Sequence, residues 1–419
     1  MMKVKFERYG DYKDSGLEWI EEVPEHWAIK RVKDLAFLQS GDSIVSEQIE
    51  DEGSYPVYGG NGLRGYFSRY TNNGDHILIG RQGALCGNIN YAHGKFWASE
   101  HAVVVYLNSG IVMKWYGEML NVMNLNQYSL SAAQPGLAMD RIKRLLLPVP
   151  PLPEQKAIAD YLDTKTAQID QKIDLLTQKA TQYGELKQSL INETVTRGLD
   201  KTVAMKDSGV EWIGDVPEHW DIDRAKSMFY KMSRPITESD DIVTAFRDGQ
   251  VTLRRNRRTS GFTNALLEHG YQGLRAGDLV IHAMDAFAGA IGVSDSDGKS
   301  TPVYSAYIPI DTNRVHNPYY GLLVREMALS GFVSSLGKGI RERSSEFRHK
   351  EFAPLKLPLP PFEEQKAIAD YLDTKTAHID RIIQTINTQI NKLKELRKTL
   401  INDVVTGKIR VAAKGEANE

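Results

Sequence analysis

"EQKAIADYLDTKTA", residues 154–167, returns without a change at residues 364–377. A second phrase, "KDSGLEWIEEVPEHW" at 13–27, is matched by "KDSGVEWIGDVPEHW" at 206–220. The helical phrase recurs after 210 residues and the Trp/Pro/His marker after 193, so the second half holds 17 more residues between its markers. The chain is therefore a tandem duplication with unequal middles. Each half runs in one order: marker, variable block, proline-rich hinge, long helix.

The heptads that continue the repeated phrase set the architecture. Leu162, Ile169, Leu176, Tyr183 and Leu190 recur every seven residues, with Ile173 and Ala180 four after heptad positions. Leu372, Ile379, Ile386, Leu393 and Leu400 repeat the pattern, supported by Ile383 and Ile390. A strict seven-residue period predicts a left-handed coiled coil. At about 1.5 Å per residue, a helix from 154 to about 197 is roughly 65 Å long and needs a partner of equal length, which the chain itself supplies. Because Leu162 and Leu372 begin the two seams, the repeated phrase is expected to pair with its own copy.

The hinges "LPVPPLPEQ" (147–155) and "LPLPPFEEQ" (357–365) fix an extended entry into each helix. Pro153 falls where a helix begins, a position that tolerates proline. The blocks at roughly 28–146 and 221–356 are glycine-rich, with β-branched runs "HILIG", "HAVVVYL", "DLVIHA" and "VYSAYIPI" and helical stretches at 112–124 and 317–333 after them. Each block is expected to be a mixed α/β domain with exposed loops.

Across 419 residues, 41% are hydrophobic and 25% charged, as in a soluble globular protein long enough for several cores. The net charge of -2 is no basic signature, so any nucleic-acid affinity must come from local patches. The single cysteine, Cys86, cannot form an internal disulfide and reads as a packing residue. A polar N-terminus and the lack of any long apolar run predict a cytoplasmic protein away from membranes.

Catalytic motifs fail on spacing or on residue identity. In "GVSDSDGKS" (292–300) five residues separate Gly292 from Gly298 where a phosphate-binding loop requires four, so it reads as a polar hairpin turn. "NPYY" (317–320) is near an adenine methyltransferase motif, yet its third residue is Tyr319 and no glycine-rich cofactor loop precedes it, so it reads as a helix start. The ten histidines contain no i,i+4 metal pair. The repeated Glu25-His26-Trp27 and Glu218-His219-Trp220 read as anchors docking onto the helices.

"PPLPEQKAIADYLD" and "PPFEEQKAIADYLD" before long heptad helices, together with the "KDSG…VPEHW" openings, resemble the specificity subunit of type I restriction-modification systems. The resemblance covers nearly the whole chain. It implies an α+β fold with two mixed α/β target recognition domains, separated by two long conserved helices that form an intramolecular antiparallel coiled coil, a pseudo-twofold tandem repeat. The segments implied are 1–150 and 201–358 for the recognition domains, and 151–200 and 359–419 for the helices. It further implies double-stranded DNA as ligand, read as a bipartite asymmetric target with the helices setting the spacer. The implied partners are two methyltransferase (modification) subunits and motor/nuclease (restriction) subunits. S-adenosylmethionine, ATP and magnesium are expected on those partners, with no cofactor and no catalysis on this chain. A coiled-coil scaffold with protein-binding domains, or the specificity chain of a type IIB-like system, fits the same residues.

Direct readout needs bidentate side chains on exposed loops: Arg for guanine, Asn or Gln for adenine. "YGGNGLRGYF" (58–67) offers Asn61 and Arg64, and "IGRQGALCG" (79–87) offers Arg81 and Gln82. The same glycines also fit plain turns with solvated polar side chains. In the second block "RRNRR" offers Arg254, Arg255, Asn256, Arg257 and Arg258, and "GKGIRERSSEFRHK" (337–350) adds Lys338, Arg341, Arg343 and Arg348. These runs suit phosphate contacts, and a solvated charged face is the bland alternative. Aligning the Gly-Asp pairs at 74 and 277 sets Arg81-Gln82 against Met284-Asp285, one scaffold carrying two chemistries.

Overall fold

The computed structural model describes residues 7–83, 85–129, 136–257, 260, 269–335 and 346–411. Arg258, Lys338, Arg341 and Arg343 lie outside the described residues. By compactness the chain forms two units, Met1–Thr177 with Thr388–Glu419, and Gln178–Asn387. Each unit thus takes one part of each long helix.

In the first unit, β1 (Ala36–Ser40), β2 (His76–Gly80), β3 (Ile89–Ala92) and β4 (Ala102–Leu107) form a sheet in the order β1-β4-β2-β3. All its pairings are antiparallel. The apolar runs "HILIG" and "AVVVYL" are central strands, buried on both faces, which is why they lack alternation. Ile77 and Ile79 join the main core, while Leu78 faces a smaller cluster under a second sheet that carries Tyr55–Gly59 and Lys95–Ala98. Helix α1 (Met113–Val122) comes after the sheet, and α2 runs from Leu152 to Arg197.

The second unit repeats this plan. There β5 (Phe229–Met232), β6 (Leu279–His282), β7 (Ile291–Val293) and β8 (Tyr304–Pro309) take the order β5-β8-β6-β7. Helix α3 (Asn317–Leu329) comes next, and α4 spans Phe362–Val405. The "NPYY" stretch is the start of α3, with Pro318 in its first turn. Tyr319 and Tyr320 are buried, donating to the carbonyls of Val195 (2.7 Å) and Pro358 (3.0 Å). "GVSDSDGKS" departs from the hairpin expected of it. It links β7, paired with β6, to Gly298–Ser300, which pairs instead with Gln272–Leu274, because Ser294 and Gly298 are pulled inward rather than turned to solvent.

Both hinges are strands before they are helix entries. Leu146–Val149 pairs antiparallel with Ala28–Arg31, and Lys356–Leu359 with Asp221–Arg224. Pro148 and Pro358 are accommodated because each strand lies at an edge, where a missing donor costs nothing. Pro153 sits in the first turn of α2, as its position requires.

The Glu-Gln pair that opens each repeated phrase joins helix to domain. Glu154 accepts from the Trp27 indole (3.0 Å) and the Tyr9 hydroxyl (2.9 Å) and meets His26 at 2.6 Å. Glu364 holds Trp220 (3.0 Å) and His219 (2.9 Å) in the same way. Gln365, fully buried, donates to the carbonyls of Pro360 (2.8 Å) and Arg314 (2.9 Å) and accepts from the His316 amide (2.8 Å) at the start of α3. Gln155 does the same for Pro150 and Val112. The docked Trp27 and Pro24 also meet Gly407, at φ +76°, where a Cβ would sit 2.5 Å from Pro24. Only glycine gives both that turn and that approach.

Within the first unit Leu162 is buried with Leu400, Ile401, Val404 and Val405, and Asp170 pairs with Arg397 at 3.0 Å. Within the second, Leu372 is buried with Ile191 and Val195, and Asp380 pairs with Lys187 at 2.7 Å. In each unit the helix segments run in opposite directions. The repeated phrase therefore does not pair with its own copy: each copy packs on the end of the other helix and on its domain, because antiparallel pairing matches starts with ends. Lys187 and Arg397 sit four after the heptad positions Tyr183 and Leu393, in seams where the corresponding residues are otherwise apolar or threonine.

Gln365→Leu leaves the His316 amide and two carbonyls without their buried partner. The expected loss is about 2 kcal/mol or more, a drop in Tm of several degrees at roughly 2–4 °C per kcal/mol for a unit of this size. Amide exchange at His316 should accelerate with it, and an unchanged rate there would sink the clamp.

Candidate nucleic-acid interface

The first unit brings its two glycine loops together through the backbone. A Cβ on Gly80 would lie 2.1 Å from the Gly60 carbonyl oxygen, and one on Gly60 would meet the carbonyls of Gln82 and His101 at 3.1 and 3.2 Å. The loops at 58–62 and 80–83 can touch only because both contact residues lack a side chain. The Arg81 amide donates to His101 (2.8 Å), just before β4, and its carbonyl accepts from Leu137 (2.9 Å), which fixes the loop from two sides.

Asn61, Arg64 and Gln82 are exposed and Arg81 is half-buried. Asn61 accepts from Asn88 Nδ2 (3.2 Å), Arg64 reaches Ser46 Oγ (3.4 Å), and Arg81 reaches Ser40 Oγ (3.4 Å). Among the described residues neither arginine has an ion-pair partner. Asn88, Ser46 and Ser40 come from other parts of the chain, and no local signal in the sequence marks them as neighbours.

The second unit holds its cations differently. Arg254–Asn256 is one turn of 3-10 helix directly after Val251–Leu253. Arg254 Nε donates to Thr244 Oγ1 (3.3 Å), Asn256 to Thr252 Oγ1 (2.8 Å), and Arg255 pairs with Asp241 at 2.9 Å. Arg257 pairs with Asp248 at 2.6 Å and lies over the Phe246 ring. Arg348, from the later cluster, pairs with Glu346. Arg255, Arg257 and Arg348 must exchange a carboxylate for a phosphate to bind one, whereas Arg64 and Arg81 of the first unit need only exchange a hydroxyl.

The register between the two scaffolds corrects the Gly-Asp alignment by one residue. The Ala283 amide donates to Val303 and its carbonyl accepts from Phe347, the two bonds that Arg81 makes in the first unit. Arg81 thus corresponds to Ala283 and Gln82 to Met284, while His282 replaces Gly80. The dipeptides themselves differ: Asp278 is buried against Arg234, whereas Asp75 is exposed and pairs with His93. Burial lowers the pKa of His282, and Asp285 pulls it partly back up. Arg247, which no motif in the sequence marks, pairs with Asp285 at 3.0 Å beside the half-exposed Met284. A separation of 38 positions along the chain between Arg247 and Asp285 hid that proximity.

No group of acids, histidines or cysteines suited to a metal ion occurs among the described residues, and none of their helices is long and apolar enough to cross a membrane.

Residues 24–181 and 304–392 match the family model for the type I restriction modification DNA specificity domain. The chain is 40% identical over 190 residues to the type I restriction enzyme EcoprrI specificity subunit of Escherichia coli, covering 44% of this chain and 45% of that one. It is 23% identical over 418 residues to the MjaVIII specificity subunit of Methanocaldococcus jannaschii, covering 93% and 94%. Among solved structures, a chain of a type I R-M system, studied for its complex assembly and conformational transition, aligns with a TM-score of 0.66 at 14% identity, over 92% of this chain and 99% of that one. The HsdS subunit from Thermoanaerobacter tengcongensis aligns with a TM-score of 0.51 at 15% identity, over 96% and 100%.

Gly80→Ala should separate the two loops of the first unit, since its Cβ would collide with backbone that cannot rotate away. Overpacking of this kind costs about 1–3 kcal/mol. Thermal unfolding should register the loss, and Gly83→Ala, whose Cβ meets open space at φ +89°, should cost less.

Proposed function

The chain belongs to the type I restriction-modification DNA specificity family, and on that premise we propose that it is the DNA sequence-specificity subunit of such a complex. It reads a bipartite, asymmetric target, one half-site per recognition domain, over segments 1–150 and 201–358. Helices 151–200 and 359–419 pair as an intramolecular antiparallel coiled coil whose length sets the spacer. Asn61, Arg64, Arg81 and Gln82 read one half-site. The run Arg254 to Arg258, with Lys338, Arg341 and Arg343, serves the other. The subunit is non-catalytic and binds no cofactor itself. Two modification subunits supply adenine methylation from S-adenosylmethionine, and restriction subunits supply the ATP- and magnesium-dependent steps.

The observation that carries this reading is the shared sheet order of the two units beneath unlike loops. One scaffold built twice, clamped to its helices by the same Glu-Gln pair, presents Arg81-Gln82 in one unit and Ala283-Met284 in the other. Unlike chemistry at matched places suits two different half-sites, so the target is asymmetric. The identical helical phrases offer polar faces, including Asp160, Asp163 and Lys165 with their counterparts, to two copies of one partner, although Asp163 is paired with Lys114 and its counterpart Asp373 has no ion pair among the described residues.

Coexpressed with its modification subunit, the chain should copurify with it, and methylome sequencing should return one bipartite adenine-methylated motif with a fixed spacer. Absent or unpatterned adenine methylation rejects the reading. Duplex binding of that complex should also weaken steeply with salt.

Inserting one heptad into α2 and one at the matching place in α4 lengthens both helices by about 10 Å at 1.5 Å per residue. The preferred spacer should grow by about 3 base pairs at 3.4 Å each, with both half-sites unchanged. Altered half-sites with the old spacer would show that the helices are not the ruler.

A further inference from the structure

A cleft of about 490 Å³ opens within the second unit between α3, β7 and the first turns of α4. That volume is in the range of pockets for small ligands, about 300–1,000 Å³. Val293, Pro318, Leu322, Ala369, Asp370 and Asp373 are on its wall.

The first unit has the same place, filled. Gly117 packs on Tyr91 as Gly321 packs on Val293, and Tyr91 pairs with Ile77 as Val293 pairs with Leu279. Gln155 accepts from Val112 and Gln365 from His316, which matches α1 to α3 residue by residue. By that match Lys114 corresponds to Pro318, Glu118 to Leu322, and Tyr91 to Val293. In the first unit Lys114 Nζ lies 3.3 Å from Asp163, 3.3 Å from Glu118, and 5.5 Å from the centre of the Tyr91 ring. The chain's own ammonium occupies the site, over the Tyr91 ring and beside the two carboxylates.

The second unit keeps the acid and loses the base. Asp373 is the counterpart of Asp163 in the repeated phrase, and among the described residues no ion pair engages it. The other cations of the cleft are committed elsewhere: Lys187 to Asp380 at 2.7 Å, and Arg325 to the carbonyls of Gly289 and Arg247, both at 3.2 Å. Asp248 on the far wall is paired with Arg257, and burial lowers the pKa of His316. An apolar wall ending at a carboxylate suits an amphiphilic cation better than a hydrated metal ion, which demands a shell of six or more oxygens.

We propose that this cleft is a binding site for a primary alkylammonium, such as one end of a linear aliphatic diamine. The ammonium pairs with Asp373, in the role Lys114 has toward Asp163, and the methylenes lie between Val293, Pro318 and Leu322. The site does not depend on the DNA-reading function.

The test is a calorimetric titration of the full chain with 1,4-diaminobutane, using 1,4-butanediol as the neutral isostere. The expected result is one saturable site for the diamine and none for the diol. Asp373→Asn should weaken it about tenfold or more, as loss of a charged hydrogen-bond partner does. Asp163→Asn should leave it unchanged. Pro318→Lys should abolish it by supplying an internal ammonium, and should that variant fail to fold by circular dichroism, Val293→Tyr blocks the same wall. No saturable binding, equal binding of the diol, or full affinity in Asp373→Asn each overturns the site.

Discussion

One carboxylate and one amide, at the first turn of each long helix, hold each domain to its support. Glu154 and Glu364 gather the docked tryptophan and histidine, and Gln155 and Gln365 close off backbone groups of the hinge and of the start of the domain helix. Buried backbone polar groups left unpaired are expensive, so a side chain that satisfies several at once tolerates little substitution. The unchanged "EQ" in both copies is thus explained by hydrogen bonding rather than by reaction chemistry. The glycine that ends the partner helix belongs to the same joint, since Gly407 in one unit and Gly198 in the other lie directly under the marker's proline and tryptophan.

The ion pairs between helix segments have a different office. Asp170 with Arg397 and Asp380 with Lys187 are the same pair by the repeat, each partly exposed. Such pairs contribute about 0–1 kcal/mol, less than the apolar seam beside them. A lone cation at a seam position, matched to one acid, selects register instead. Register matters here more than strength, because a helix that slipped by a heptad would carry its clamp away from its domain.

The two blocks show how one scaffold tolerates divergence. Strand order and the hydrogen bonds that fix each loop base recur, while the loop residues differ in charge and size. Arg64 and Arg81 held by hydroxyls on one unit, and Arg255 and Arg257 held by aspartates on the other, give two surfaces of unlike electrostatics from one plan. The same freedom turned Lys114, Glu118 and Tyr91 into Pro318, Leu322 and Val293, emptying a place that the first unit fills.

Heptad spacing, the duplicated phrases and the apolar runs were enough, without coordinates, to establish two α/β blocks and two long helices, since periodicity and repetition are properties of local order along the chain. They also located the glycine loops that the backbone brings together at Gly60 and Gly80. Three things were decided only in the folded chain: what the repeated phrase packs against, the one-residue register that sets Arg81 opposite Ala283, and the pairing of Arg255 and Arg257 with Asp241 and Asp248. Each depends on contacts between residues distant in sequence or on hydrogen-bond register, and neither composition nor period carries that information.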